Sequence, residues 1–331
     1  VWITSSPDLI QTPTVVALGN FDGIHRGHQR VIEPILSASP SLVTSGAEGE
    51  ASIPASPEVG VPTVVTFHPH PQEFFTNQRR SLLTPLSEKA ASLQQMGIRQ
   101  LVRLPFNEAL AQMTPPEFVE AILVQRLRAQ RVSIGQDFCF GRNRSGTAVD
   151  LKAIAASFGI DVTVVDLHRD GDERISSSAI RAALLGGAPE RAAQLLGRPY
   201  QLWGEVVHGD ALGRQLGFPT ANLDVPAEKF IPRLGVYAVR VAVASANDPV
   251  PPAVLPGVMN LGMRPTVNGQ TQRVEVHLLD WQGDLYGQVL HVRLESFLRP
   301  EQKFSSLDEL MAQIQRDCEA ARSHLSLSSI L

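Results

Sequence analysis

Thr14-Val15-Val16-Ala17-Leu18-Gly19-Asn20-Phe21-Asp22-Gly23-Ile24-His25-Arg26-Gly27-His28 decides how the first half of this 331-residue chain folds. Five apolar or β-branched residues predict a strand. The following segment, with Val31, Ile32, Ile35 and Leu36 at helical spacing, predicts a helix. Three glycines within ten residues give the connection its close backbone approach and access to positive φ. Two histidines three apart fall where the helix begins. A helix N-terminus presents unpaired N–H groups and partial positive charge, and imidazoles beside it can donate to phosphoryl oxygens.

Working outward, residues 37–60 are rich in Ser, Ala, Gly, Pro and Glu, have neither period, and read as an insertion. Val61 to Phe67 is a second strand, ending in His68-Pro69-His70-Pro71, where the prolines stop pairing and hold a loop open. A helix from Pro85 shows Leu86, Ala90, Leu93 and Met96 on one side and stops at Gly97. Gln100 to Leu104 is a third strand. Thr114-Pro115-Pro116-Glu117 is a capping box opening a helix faced by Phe118, Ala121, Ile122 and Leu127. Arg131 to Ile134 is a fourth strand that leads into Gly135 to Gly146. A helix over Val149 to Phe158 precedes a fifth strand, Val162 to Leu167. Such alternation predicts a parallel sheet covered on both faces, with ligands beyond the carboxyl ends of the strands. The loops 19–28, 68–71 and 135–146 all follow strands and should converge there. Ser176, Ser177 and Ser178 open a further helix carrying Arg181; small hydroxyls there cap the helix and also suit an oxyanion.

Breakers at Gly186-Gly187-Ala188-Pro189 and Gly197-Arg198-Pro199 flank a short helix, Glu190 to Leu195. The expected division is therefore 1–186, a linker over 187–198, and a second domain over 199–331. Tyr200 to His208, Gly235 to Ala244, Val254 to Gly262, Gln272 to Asp280 and Gln288 to Phe297 are β-rich runs, the spacing of a small antiparallel barrel. A polar hairpin loop is expected around Asn247 to Pro252. Ser306-Leu307-Asp308-Glu309 reads as a capping box, and Leu307, Leu310, Met311 and Ile314 as the stripe of a terminal helix packed on the barrel. Gly209, Gly213 and Gly217 permit a tight loop, with Arg214 supplying charge. Thr220 and Asn222, two apart, point the same way in extended backbone and offer hard oxygens suited to Mg²⁺. In Arg273 to Leu278, alternation sets Arg273, Glu275 and His277 opposite Val274, Val276 and Leu278. From these residues alone, a phosphate loop and a polar hairpin remain equally open for 209–222, whereas a solvated strand face is the default for Arg273, Glu275 and His277, with a catalytic base as the alternative.

Bulk properties narrow the field. The 29 basic and 33 acidic residues give a net charge of −4, which argues against nucleic acid or a membrane surface as partner. Two cysteines, Cys139 and Cys318, lie far apart and point to a reducing, cytoplasmic setting without disulfides. No apolar run approaches the ~20 residues that span a bilayer. The start, Val1-Trp2-Ile3-Thr4, lacks the pattern of a signal peptide and, having no Met, reads as trimmed or partial. Whether the chain forms a weak homo-oligomer is not decided by these numbers.

Gly19-x-Phe21-Asp22-Gly23-x-His25-x-Gly27-His28, with Ile175-Ser176-Ser177-Ser178-x-x-Arg181, resembles the nucleotidyltransferases signed by His-x-Gly-His, and within them the FMN adenylyltransferase module of prokaryotic bifunctional riboflavin kinase/FAD synthetases. Gly217-Phe218-Pro219-Thr220-Ala221-Asn222, Pro256 to Gly262 and Val274 to Asp280 resemble the riboflavin kinase module of the same family. The resemblance implies a Rossmann-like α/β domain followed by a β-barrel with a terminal helix. It implies phosphorylation of riboflavin by ATP in the barrel and adenylylation of FMN to FAD in the first domain, with riboflavin, FMN, FAD and ATP as the small-molecule partners and Mg²⁺ as cofactor. It further implies that His25, His28 and Arg181 serve adenylyl transfer and that Glu275 activates the flavin ribityl hydroxyl. ATP contacts fall on Gly19, Phe21, Asp22, Gly27, Ser176 and Ser177 in one domain and on Gly209, Arg214, Gly217 and Pro219 in the other. Flavin contacts fall on Asn20, His70 and Asp137, and metal contacts on Thr220 and Asn222. The chain departs from the family pattern at His68, where an acidic residue is frequent, and at Cys139, where a basic or aromatic one is; both bear on the flavin contacts. No Gly-x-x-x-x-Gly-Lys-Ser/Thr occurs, which excludes a P-loop.

Overall fold

The structure, a computed structural model, describes residues 1–36, 60–209, 213, 216–244, 254–266 and 269–327. The insertion expected over 37–60 (but for Gly60), the hairpin loop around Asn247 to Pro252, and Arg214 lie outside the described residues.

The chain forms two compact units, one of residues 1–80 and 86–175, the other of residues 81–85 and 176–331. The first is built on six strands: β1 (Trp2–Thr4), β2 (Thr14–Leu18), β3 (Val61–His68), β4 (Gln100–Pro105), β5 (Ala129–Gly135) and β6 (Asp161–Val165). They pair in the order β1-β4-β3-β2-β5-β6, every pair parallel. Alternate residues of β2 feed two cores. Val15 and Ala17 pack with Ile32 and Ile35 of α1 (Arg26–Leu36) and Leu93 of α3 (Leu86–Gln95). Val16 and Leu18 pack with Phe118, Ile122 and Leu123, and with Leu151 of the helix Ala148–Ala156. Each fully buried aliphatic side chain contributes about 1.5–3 kcal/mol of transfer free energy, so a sheet covered on both faces needs no further support. The chain passes from β2 to β3 on one side and places β5 on the other. The carboxyl end of β2 is thus the point where strand order reverses, the standard site of a crevice in such sheets.

Three local expectations change. β1, three residues long and partly exposed, adds an edge strand. The His68 to Pro71 segment does not stay open: Pro71–Thr76 is a helix (α2), with proline at its first position. The Thr114 helix starts on the expected box, Glu117 accepting from the Thr114 N–H and hydroxyl, but runs on from Val119 to Arg126 with π-type hydrogen bonding.

The second unit holds a closed antiparallel barrel in the order β10-β13-β12-β11-β14-β9, made of β9 (Gln201–Val207), β10 (Ala221–Asp224), β11 (Gly235–Ala244), β12 (Val254–Thr266), β13 (Gly269–Leu278) and β14 (Val289–Arg299). Four-residue β10 was not expected; it closes the barrel by pairing with both β9 and β13. The terminal helix, Leu307–Leu327, covers Val236, Ala238, Val258 and Leu279 with Ile314, Cys318, Ala321 and Leu325. Its stripe begins later than the spacing predicted, because Leu307 is 58 % exposed. Its capping is shifted as well: Ser306 accepts from the Glu309 N–H, while the Glu309 carboxylate takes the N–H and hydroxyl of Ser305.

The helices α7 (Ser177–Gly186) and α8 (Pro189–Leu196) belong to this second unit, as does a short strap, Ser81–Pro85. The strap is held by Leu82 N–H to the Glu228 carbonyl (2.6 Å), Phe230 N–H to the Leu82 carbonyl (2.8 Å) and Arg181 Nη2 to the Ser81 carbonyl (3.0 Å). The buried Lys229 ammonium donates to the Leu83 carbonyl (2.8 Å) and sits 4.4 Å from the centroid of the Tyr200 ring.

Candidate functional site

In the first unit, β2 delivers the chain into a connection with positive φ at Phe21 (48°), Gly23 (94°) and Ile24 (44°). Left-handed backbone at two bulky residues is costly and persists where the surroundings dictate it. Here both side chains are buried in the α1–α3 core. His25 then acts as the cap of α1: its Nδ1 accepts from the His28 N–H (3.2 Å), so the ring proton sits on Nε2. His25 is 6 % exposed, and its ring stacks on His28 with centroids 3.6 Å apart and planes 16° from parallel. Gly27 leaves room for that stack, since a Cβ there would lie 3.2 Å from the His25 ring and press it by a few tenths of an ångström. Phe21 offers no free surface; what it supplies is an edge-on ring 5.3 Å from His28. A pair of imidazoles locked at a helix N-terminus, over a glycine turn, can donate to an anion without rearranging.

Asn20, Asp22 and His70 belong to the same surroundings. The Asn20 carbonyl accepts from Thr66 Oγ1 of β3 (3.1 Å) and from Lys89 Nζ (3.0 Å), while its Oδ1 is buried without a hydrogen-bond partner. His70 caps α2: Nδ1 accepts from the Gln72 N–H (3.0 Å), and Glu73 accepts from the His70 N–H (3.0 Å) and the Arg80 N–H (2.7 Å). Burial, followed by Arg80, lowers the His70 pKa. Burial and Arg103 do the same at His68. Asp137, on the loop after β5, is exposed and paired with Arg174, and Cys139 Sγ lies 3.6 Å from the Asp137 carbonyl.

Two features escaped the sequence reading. Lys89 is 8 % exposed although charged. Its position, three after Leu86 and four before Leu93, places it on the apolar face of α3, which was the available signal. The second is an aromatic ledge at the end of β3 and β4. Phe67, Phe74, Phe75 and Phe106 meet edge to face with centroids 5.3–5.9 Å apart, and Phe75 is 69 % exposed.

In the second unit, Ser176 caps α7 by accepting from the Ala179 N–H (3.1 Å). Arg181, besides holding the strap, lies 5.5 Å from the Phe230 ring. The barrel brings together what the sequence separated. β10, β13 and β12 align Asn222, Glu275 and Asn260 as direct cross-strand neighbours, hence on one face. The alternation on β13 holds, with Val274, Val276 and Leu278 buried. Arg273 Nη2 reaches Glu275 Oε1 at 2.9 Å. Gly209 is pressed on Asn222 so closely that a Cβ would lie 2.2 Å from its side-chain nitrogen. Gly213 turns the loop back, its carbonyl accepting from the Phe218 N–H (2.8 Å), and a Cβ there would come within 3.2 Å of Thr220 Oγ1. His277 Nδ1 donates to the Pro219 carbonyl (2.8 Å), which ties this loop to β13. Gly217 has φ 84°, as a tight turn requires. A hydroxyl, an amide oxygen and a carboxylate gathered under a glycine loop form a hard-oxygen donor set, which fits Mg²⁺ carrying waters and phosphate oxygens.

Residues 8–179 match the family model described as FAD synthetase, and residues 196–325 the one described as riboflavin kinase. The bifunctional riboflavin kinase/FMN adenylyltransferase of Escherichia coli (strain K12) is 40 % identical over 320 residues, covering 96 % of this chain and 95 % of the relative. That of Bacillus subtilis (strain 168) is 34 % identical over 325 residues, covering 96 % and 94 %. A crystal structure described as a macrolide-efflux protein from Streptococcus pneumoniae is 30 % identical with a TM-score of 0.80, covering 97 % of this chain and 98 % of that one. Among the described residues of this chain, no helix is long and apolar enough to cross a membrane. The two family models, and relatives matched nearly from end to end, show that this chain belongs to the bifunctional riboflavin kinase/FMN adenylyltransferase family.

Proposed function

We propose that the chain performs two consecutive steps of flavin-cofactor synthesis, with the catalytic modules divided at 1–186 and 199–331. In the barrel, the ribityl hydroxyl of riboflavin attacks the γ-phosphorus of ATP; its proton passes to Glu275 and ADP leaves. Asn222 and Thr220 hold the phosphates together with Mg²⁺, which supplies charge neutralisation when bound. Gly209, Gly217 and Pro219 belong to the loop that meets them, and Arg214 is assigned to its charge from the sequence alone. Arg273 keeps the Glu275 carboxylate aimed along the strand face.

In the first module, a phosphate oxygen of FMN attacks the α-phosphorus of a second ATP and pyrophosphate leaves. The protein contributes donors rather than a covalent nucleophile. His25, with its proton fixed on Nε2, and His28 meet the phosphates of ATP, Gly19 and Gly27 let the backbone approach, and Asp22 orients the turn. By the family resemblance, Ser176, Ser177 and Arg181 are assigned to the pyrophosphate. Asn20, His70 and Asp137 serve the flavin nucleotide, for which the exposed Phe75 ledge offers a flat apolar surface.

The observation that carries the kinase half is the cross-strand alignment of Asn222 with Glu275, which places an amide oxygen beside a carboxylate at the glycine loop. Incubation of the protein with riboflavin, ATP and Mg²⁺ tests the whole reading: FMN should rise first and FAD follow. FMN without FAD would remove the first-module assignment, and neither product would remove both.

A further inference from the structure

Lys89 is a buried charge that neither module's expected chemistry uses. It projects from the apolar face of α3 into the core beside the motif turn and is 8 % exposed. An ammonium withdrawn from water needs compensation. Burial pulls its pKa down, while the carboxylate of Asp22, itself buried, favours the charged form. Its Nζ donates to the Asn20 carbonyl at 3.0 Å, and Thr66 Oγ1 donates to the same oxygen at 3.1 Å. A carbonyl has two lone pairs, so these two donors saturate it and stop the peptide plane from turning. That plane immediately precedes Phe21, Gly23 and Ile24, the three positions of positive φ that lead to His25.

Asn20 carries a second unusual group. Asn20 Oδ1 is buried and has no hydrogen-bond partner among the described residues. A buried acceptor left unsatisfied destabilises the protein and calls for an explanation, and a ligand donor is a direct one. We propose that Lys89 is a positioning residue for adenylyl transfer: by fixing the Asn20 carbonyl it aims Asn20 Oδ1 at a hydroxyl or amino group of the bound nucleotide. The inference rests on the adenylyltransferase reading of this unit. It assigns the buried charge to substrate placement, so its removal should cost activity more than stability.

The test uses the full chain, following FAD formation from FMN and ATP, with riboflavin phosphorylation in the same preparation as a reference. If the unaltered protein forms no FAD, the functional reading fails before Lys89 is at issue. Lys89→Met keeps the volume and removes the charge; kcat for FAD formation should fall about 10²-fold, as for a group displaced by about 1 Å, with an unchanged or raised thermal midpoint. Lys89→Gln keeps a neutral donor and should exceed Lys89→Met by about fivefold or more, since one hydrogen bond to the carbonyl returns. Combining Lys89→Met with Asn20→Ala should be no slower than the slower single variant, because residues acting through one another are not additive. The proposal is overturned if Lys89→Met stays within about threefold of the unaltered protein, if the two losses multiply, or if Met and Gln lose stability and activity alike.

Discussion

The motif turn of the first unit and the Asn222–Glu275 row of the barrel do comparable work by opposite constructions. In the turn, His25 and His28 lie three apart in sequence and are joined by the hydrogen bond from the His28 N–H to His25 Nδ1 and by the stacking of their rings. In the barrel, Asn222, Glu275 and Asn260 come from three strands, and register alone aligns them. A locally built site tolerates little change inside its ten residues and is steadied from outside by side chains such as Thr66 and Lys89. A register-built site depends on every residue that sets the strand pairing, and a one-residue slip would send Glu275 to the other face.

Substitutions that separate the two activities test this contrast. The largest effect is expected at Glu275→Gln: riboflavin phosphorylation should fall by about 10³-fold, within the range for loss of a positioned base, while FAD formation from supplied FMN is retained. Parallel loss of both activities would contradict the division of labour. Next, His28→Ala should slow FAD formation about 10²–10³-fold, the loss of one preorganised donor, and leave phosphorylation unchanged in the same assay. Gly209→Ala pushes a Cβ to 2.2 Å from the Asn222 side chain. It should lower phosphorylation about tenfold through misplacement of Asn222, with FAD formation unaffected. The smallest effect concerns His70. Its folded pKa lies below the ordinary 6.5, so the folded state binds fewer protons than the unfolded chain. The stability of its cap is therefore full above pH 6.5 and is lost as pH falls below it toward the folded value. His70→Asn keeps a capping oxygen without a titrating group; it should flatten the fall of the thermal midpoint between about pH 7 and 5, a change of about 1 kcal/mol or less.

The same contrast explains what the sequence disclosed. The parallel sheet, the turn and the barrel strands were legible because period and punctuation are local: Val15 to Leu18 with Gly19, and Arg273 to Leu278 in strict alternation. The helix Pro71–Thr76 was not, because His-Pro-His-Pro reads as breakers, whereas His70 supplies the capping acceptor that Ser or Asp usually would. β10 was not, because four residues after a proline carry no period; closure of the barrel makes them a strand. Leu307 was assigned to a packed stripe that begins a turn or two later, since helical spacing fixes a face but not where contact starts. At the sites, residue types pointed to Glu275 and His25. The role of Lys89 depends on burial, and Asn260 on register, neither of which a linear reading contains.

The strap Ser81–Pro85 has a consequence for how the protein is made. Its anchors arrive late: Lys229, which donates to the Leu83 carbonyl, is 146 residues further along the chain. At a synthesis rate of about 5–20 residues per second, Leu82 and Leu83 wait roughly 7–30 s on the ribosome before that anchor is even joined to the chain. During that interval the backbone groups of Leu82 and Leu83 lack the Glu228, Lys229 and Phe230 partners that hold them in the folded chain.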